Sequence, residues 1–213
     1  MAKPSEKRLA HFREMVTHDQ ALLGFGTSLA GMDEVGRGPL FGNVVTACVI
    51  MPSDPLFEWI DDSKKLSAKR REEVFDQIMN NALYVGIGQA TPEEIDRMNI
   101  LNATKLAMER AAQKAPATLC VVDAVRDLYL PFPIMPIIKG DSTSYNVAAA
   151  SIVAKVTRDR QMAEYARHYP QYGLDRNMGY GTAEHIAALK EYGPVPEHRR
   201  SFIRKFIQEE SAE

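Results

Sequence analysis

Acidic residues close apolar runs at three places in this sequence: Asp33-Glu34 after the run from Leu29, Asp123 after Leu119-Cys120-Val121-Val122, and Asp141 after Ile137-Ile138-Lys139-Gly140. A carboxylate set against a core is costly unless it is paired, hydrogen-bonded or bound to a cation. Each has an ordinary explanation when taken singly. An Asp at a strand end commonly forms a turn or caps a helix, and Asp141, ahead of Ser142 and Ser144, suits that role. Three such ends in one sheet point further, because neighbouring strand ends bring their carboxylates together. Without a cation such a cluster repels itself and raises its own pKa values. With one, an oxygen-only set suits a hard ion, Mg²⁺ or Mn²⁺. The pair Asp33-Glu34 carries a geometric requirement, since consecutive side chains of a regular strand face opposite ways. For both to reach one centre, the strand is expected to end or bulge there, which Gly36-Arg37-Gly38 permits.

Other chemistries lack their residues. Gly26 and Gly31 have the spacing of a phosphate-binding loop, but Met32 stands where Lys is required, and no dinucleotide fingerprint follows Gly36 and Gly38. The five histidines include no helical pair spaced for zinc, and no Ser sits in a nucleophile-elbow setting. His185 and His198 read as structural residues.

The elements that must position the acids alternate along the chain. Strands are expected at 29–33, 44–51, 83–88, 118–122 and 134–138, the first two joined by the Gly-rich turn. A helix over 67–81 places Val74, Phe75, Ile78 and Met79 on one apolar face. Thr91-Pro92-Glu93-Glu94 has the form of a helix start, and 100–113 continues with a second helical pattern. Further helices are expected at 144–169, 182–192 and 202–210. Strands early and helices late predict an α/β fold in which a mixed sheet is flanked by helices and closed by a C-terminal helical cap.

Composition limits the setting. With 213 residues and 45% hydrophobic content the chain can bury one sizeable core. Its 26 Lys and Arg against 28 Asp and Glu leave a net charge of −2, so any polyanion site must be a local patch. Apolar runs fall far short of the roughly 18 residues of a membrane span, and the charged N-terminus does not resemble a signal peptide. Cys48 and Cys120 lie in apolar runs and are expected as buried thiols of a reducing compartment, the cytoplasm. Basic residues concentrate at Lys64, Lys65, Lys69, Arg70 and Arg71 and again at Arg199, Arg200, Arg204 and Lys205. Such runs are usually solvated faces, with phosphate contact as a second reading.

These residues together resemble the type 2 ribonucleases H, the ribonuclease HII family. The resemblance rests on Ala30-Gly31-Met32-Asp33-Glu34-Val35-Gly36-Arg37-Gly38-Pro39-Leu40, then Asp62-Ser63-Lys64-Lys65-Leu66-Ser67, then Asn99-Ile100-Leu101-Asn102-Ala103-Thr104. It continues through Lys139-Gly140-Asp141-Ser142, the stretch 148–159, Gly179-Tyr180-Gly181-Thr182 and His198-Arg199-Arg200-Ser201-Phe202, covering about 28–204. One departure is Asp123-Ala124 where the family usually has Asp-Gly. The related ribonuclease HIII carries an N-terminal binding domain, and the short segment before the first motif favours HII.

The resemblance implies an RNase H-like catalytic domain over 28–213 preceded by a helical segment over 1–27. It implies that Asp33, Glu34, Asp123 and Asp141 ligate two Mg²⁺ or Mn²⁺ ions. Family members hydrolyse the RNA strand of RNA–DNA hybrids and nick duplex DNA on the 5′ side of an embedded ribonucleotide, leaving a 3′-hydroxyl and a 5′-phosphate, a step of ribonucleotide excision repair. By the same likeness, Gly36, Arg37 and Gly38 contact the ribose 2′-hydroxyl, the group that separates RNA from DNA. Tyr180 packs on the sugar at the RNA-to-DNA step, and Lys64 contacts a phosphate. A monomer is expected. Two rivals stand beside this reading: an RNase H-like nuclease indifferent to the sugar, and a noncatalytic nucleic-acid-binding module.

Overall fold

The computed structural model describes residues 4–24, 28–54 and 57–207. Five strands form one mixed sheet: β1 Leu29–Val35, β2 Val44–Ile50, β3 Tyr84–Ala90, β4 Leu119–Asp123 and β5 Ile134–Ile137, in the order β3-β2-β1-β4-β5. β2 pairs antiparallel with β1 and β3, whereas β4 runs parallel to β1, and β5 parallel to β4. The carboxyl ends of β1, β4 and β5 therefore meet at one edge, the place where open α/β sheets bind ligands. The acid after each run lies at that edge.

Both faces of the central strands are covered, which explains their nearly unbroken apolar sequences. On one face lie helices α1 Glu6–Leu22, α2 Ala68–Asn81 and α4 Tyr145–His168, packed over Ala47 and Val49. On the other, α3 Pro92–Ala112 packs over Ala30, Met32 and Cys48 through Met108 and Ala111. Cys48 and Cys120 are free thiols buried in this second layer. The short helices α5 Leu174–Asn177 and α7 Arg200–Ile203, with α6 Ala183–Tyr192 between them, form the C-terminal part.

Side chains start the helices where the sequence placed them. Ser67, Ser144 and Thr182 accept backbone N–H groups as N-caps, and Thr91 with Glu94 forms a reciprocal capping box. The two helical patterns at 91–113 are α3 broken at Asn99 (φ 69°, ψ 164°), whose Oδ1 accepts from the N–H groups of Leu101 and Asn102 and restarts the helix. Two expectations are corrected. Met79 is 43% exposed, because the buried stripe of α2 runs through Val74, Ile78 and Phe75 and Met79 lies about 40° beyond its Phe75 edge. The last helix is α7, four residues long, rather than 202–210, and 208–210 lie outside the described residues.

α4 runs alongside β1, and the approach is close at its start. A β-carbon on Gly31 would lie 2.2 Å from both the Asn146 carbonyl carbon and the Val147 nitrogen. Backbone cannot rotate away as a side chain does, so only glycine fits. Gly31→Ala is expected to cost about 3 kcal/mol in unfolding free energy, read as a lower urea midpoint; an unchanged midpoint would show that helix and strand separate at no cost.

Candidate active site

β1 neither ends nor bulges at the acidic pair, contrary to the sequence expectation. Its register with β2 continues through Asp33↔Ala47, Glu34↔Thr46 and Val35↔Val45. What stops is the pairing on the other side, where β1 and β4 part after Met32↔Val122. Asp33 and Glu34 thus leave regular strand on opposite faces, but at a position where the neighbouring strand no longer covers the edge. Asp123, the last residue of β4, lies within electrostatic reach of both.

Each acid is held by local groups. Asp33 is 7% exposed and accepts the Glu34 N–H at 2.8 Å, with Ser151 of α4 near enough to favour its charged form. Ser63 in turn contacts the Ser151 hydroxyl at 3.0 Å. Glu34 Oε1 accepts from Arg37 at 3.3 Å, while its Oε2 is buried with no hydrogen-bond partner among the described residues. Asp123 Oδ1 accepts the Gly140 N–H at 3.0 Å, which ties the end of β4 to the turn that carries Asp141. Lys64 Nζ donates to Asp141 Oδ2 at 3.4 Å. That ammonium is 79% exposed, so the pair contributes little stability and can exchange partners freely.

The electrostatics carry the mark of crowded negative charge. Burial raises the Asp33 carboxyl well above its ordinary range, with repulsion from Glu34 and Asp123 adding to it. Burial also raises Glu34, opposed by Arg37 and reinforced by Asp123. Asp141 is raised by burial and by Asp62 and Asp123 against the pull of Lys64. Desolvation pulls the Lys64 ammonium down, but Asp141, Asp62 and Asp33 outweigh it and hold its pKa high. Among the described residues no three His, Cys, Asp or Glu side chains stand close enough to hold one metal ion between them. An oxygen set of this kind still suits Mg²⁺, which is commonly held by one or two carboxylates, with water and substrate phosphate completing its shell. The partnerless Glu34 Oε2 is a buried acceptor of the kind a cation satisfies.

The Gly36-Arg37-Gly38 turn sits beside this edge, with Gly36 at φ 90°, where a side chain would be strained and would also strike Arg158. Tyr180 is 49% exposed, and a β-carbon on Gly38 would lie 3.6 Å from its ring. The structure therefore brings Tyr180 to the turn, although 142 positions separate it from Gly38. Ala124, the departure from the family pattern, adopts φ 51°, a conformation that costs a non-glycine residue about 1 kcal/mol.

The basic clusters divide differently from the sequence reading. Lys65 pairs with Asp61, Arg70 with Glu73 and the Trp59 ring, and Arg71 with Asp159, so these hold the fold. Arg199, grouped with surface charge above, is fully buried. It donates to the carbonyls of Gly36, Arg37, Pro39 and Gly42, and Arg158 donates to those of Phe41, Asn43 and Met178. Burial and the nearby Arg158 lower the Arg199 pKa to about 9. Both arginines lie inside stretches matched to the family, but sequence alone gives no sign that their partners are carbonyls rather than phosphates.

His185 and His198 form a second buried link. Val195 N–H donates to His198 Nδ1 at 3.1 Å, the two Nε2 atoms are 3.1 Å apart, and His185 Nδ1 lies 2.9 Å from the Tyr180 carbonyl. One arrangement satisfies all three contacts: His198 Nε2–H donates to His185 Nε2, and His185 Nδ1–H donates to Tyr180.

Known structures share this architecture. A crystal structure of ribonuclease H2 from Pyrococcus horikoshii OT3 aligns with TM-score 0.70 and 28% identity, covering 84% of this chain and 96% of that one. The PCNA:RNase HII complex from Archaeoglobus fulgidus contains a chain aligning with TM-score 0.72 and 27% identity, over 84% and 97%. The fold and the acid-lined sheet edge thus define a nuclease of the ribonuclease H class. At the level of sequence, the ribonuclease HII from Caldanaerobacter subterraneus subsp. tengcongensis is 47% identical over 206 residues, 95% of this chain and 86% of that protein. The family model described as ribonuclease HII matches residues 30–206. The chain belongs to the ribonuclease HII family, and is a ribonuclease H.

The histidine pair has a pH consequence. Burial and the neighbouring His185 push His198 down to about 3, against an ordinary 6.5. Between these values the unfolded chain takes up a proton that the folded chain refuses, so stability falls as pH drops below about 6.5. Urea unfolding at pH 7 and pH 5 is expected to show wild type losing about 2 kcal/mol more than His198→Asn; equal losses would show that His198 is protonated in the fold.

Proposed function

We propose that this ribonuclease H hydrolyses the RNA strand of RNA–DNA hybrids and nicks duplex DNA on the 5′ side of an embedded ribonucleotide, leaving a 3′-hydroxyl and a 5′-phosphate. The observation that carries the reading is the convergence of Asp33, Glu34, Asp123 and Asp141 at one sheet edge, beside the Gly36-Arg37-Gly38 turn and Tyr180, with a buried Glu34 oxygen lacking any partner among the described residues. In this reading the four acids are the ligands of two Mg²⁺ or Mn²⁺ ions. Bound there, such ions supply Lewis-acid charge that activates water and stabilises the departing 3′ oxygen.

The chain's own groups do the rest. The Glu34 N–H fixes Asp33 and the Gly140 N–H fixes Asp123, so these two carboxylates are oriented before substrate arrives. The Gly36-Arg37-Gly38 main chain reads the 2′-hydroxyl, and the exposed Tyr180 ring packs on the sugar that follows. Lys64 leaves Asp141 for a phosphate, a move made easy by its exposure. Residues 28–213 work as one catalytic unit, preceded by the 1–27 segment, whose helix α1 packs against the sheet layer. We assign the enzyme to the cytoplasm as a monomer acting in ribonucleotide excision repair. Its free buried thiols are consistent with a reducing compartment, and among the described residues no helix is long and apolar enough to cross a membrane.

A DNA duplex with one ribonucleotide, set beside an all-DNA duplex, tests this directly. Wild type with Mn²⁺ is expected to cut only the first, on the 5′ side of the ribonucleotide. Asp33→Asn is expected to lose at least 1,000-fold in turnover (about 4 kcal/mol) while still binding the duplex. Cleavage of both duplexes or of neither, or an active Asp33→Asn, would overturn the assignment.

A further inference from the structure

Arg199 is an unusual residue for a protein interior: a fully buried guanidinium whose hydrogen bonds all run to main-chain carbonyls. Its partners are not scattered. Nη2 donates to Gly36 O at 2.6 Å, Nη1 to Arg37 O at 3.1 Å and Pro39 O at 2.8 Å, and Nε to Gly42 O at 2.8 Å. A single side chain from the far end of the sequence thus grips the whole turn between β1 and β2.

The consequence follows from peptide geometry. In a trans peptide the C=O and the following N–H point in opposite directions. Drawing the carbonyls of Gly36 and Arg37 inward onto Arg199 turns the N–H groups of Arg37 and Gly38 outward. Neither N–H donates a hydrogen bond among the described residues. Pro39 has no N–H, and the next one, that of Leu40, is used differently: it donates to Gly179 O at 2.8 Å and so joins the turn to the Tyr180 loop. Two consecutive N–H donors are left without partners among the described residues, at a turn whose Gly38 lies beside the Tyr180 ring, a pair suited to one oxygen-rich group.

We propose that Arg199 is a positioning residue for sugar discrimination: by holding the Gly36 and Arg37 carbonyls inward it aims the Arg37 and Gly38 N–H groups at the ribose 2′-oxygen and its adjoining phosphate. The proposal rests on the reading of the turn given under Proposed function. Arg199 touches no substrate in this account; it acts through the main chain. A lysine there keeps the charge but cannot span four carbonyls, because an ammonium has three donors on one atom and no planar fork.

The test compares duplexes whose single modified nucleotide carries a 2′-hydroxyl or a 2′-fluorine, cut by wild type and by Arg199→Lys. The fluorine keeps the electronegative substituent but hydrogen-bonds weakly. Wild type is expected to prefer the hydroxyl strongly in kcat/KM, and Arg199→Lys to shrink that preference at least fivefold. A variant that loses activity on both duplexes alike, with an unchanged ratio, would reduce Arg199 to a structural residue and overturn the proposal. Should Arg199→Lys fail to fold, amide NMR of the wild type in chelator decides. The Arg37 and Gly38 N–H resonances are expected to move more on adding the ribonucleotide duplex than on adding its all-DNA counterpart, and equal shifts would overturn the proposal. A wild type that cuts neither duplex would instead defeat the reading beneath it, and the proposal with it.

Discussion

Like charges crowded at a buried edge, with Arg37 and Lys64 as their partial countercharge, are the constraint on which this structure turns. Asp33 and Glu34 sit at the edge of the core with Asp123 in range of both, and burial and mutual repulsion raise both residues of the pair. A fold that brings such groups together gives up stability for which the packing elsewhere must compensate. The compensation is visible. α4 lies so close on β1 that only glycine fits at position 31, and its Ser151 is near enough to favour the charge of the very carboxylate that the strand presents. The sheet topology does the remaining work: parallel β1, β4 and β5 bring separate stretches of sequence to one edge, and the early end of the β1–β4 ladder opens that edge.

The second half of the site is built from the opposite kind of charge. Arg158 and Arg199 are buried cations satisfied by carbonyls, and together they fasten the turn between β1 and β2 to the loop that carries Tyr180. Charged hydrogen bonds are worth roughly 1.5–3 kcal/mol each, which is what makes burial of a guanidinium affordable here. The histidine pair adds a neutral strut from Val195 to the Tyr180 carbonyl. Acid edge and Gly-Arg-Gly turn are thus separate constructions, joined through Glu34 and Arg37.

Much of this was legible in the sequence, for physical reasons. Apolar strands ending in acids, a helix cap at Thr91 and glycine flanks around Tyr180 are local signals, and local signals survive without coordinates. The strand end or bulge expected at Asp33-Glu34 does not exist, because side-chain alternation constrains one strand and says nothing about where its neighbour stops. Met79 misled because hydrophobicity marks a helix face only to within a wide arc. Arg199 was missed because a basic residue in a run of basic residues carries no sign of burial. Its carbonyl partners lie over 150 positions away, at Gly36 to Gly42.

Crowded and buried, the acids of this edge are under electrostatic stress, and a site proposed for cations gains stability when they bind. Thermal unfolding of wild type and Asp33→Asn, each in chelator and in millimolar Mn²⁺, tests this most directly. Asp33→Asn is expected to melt at or above wild type in chelator, since it removes a buried like charge and keeps the shape. Mn²⁺ is expected to raise the wild-type midpoint several degrees and the variant's by less than half as much. A wild type more stable than the variant in chelator, with equal gains from Mn²⁺, would contradict this.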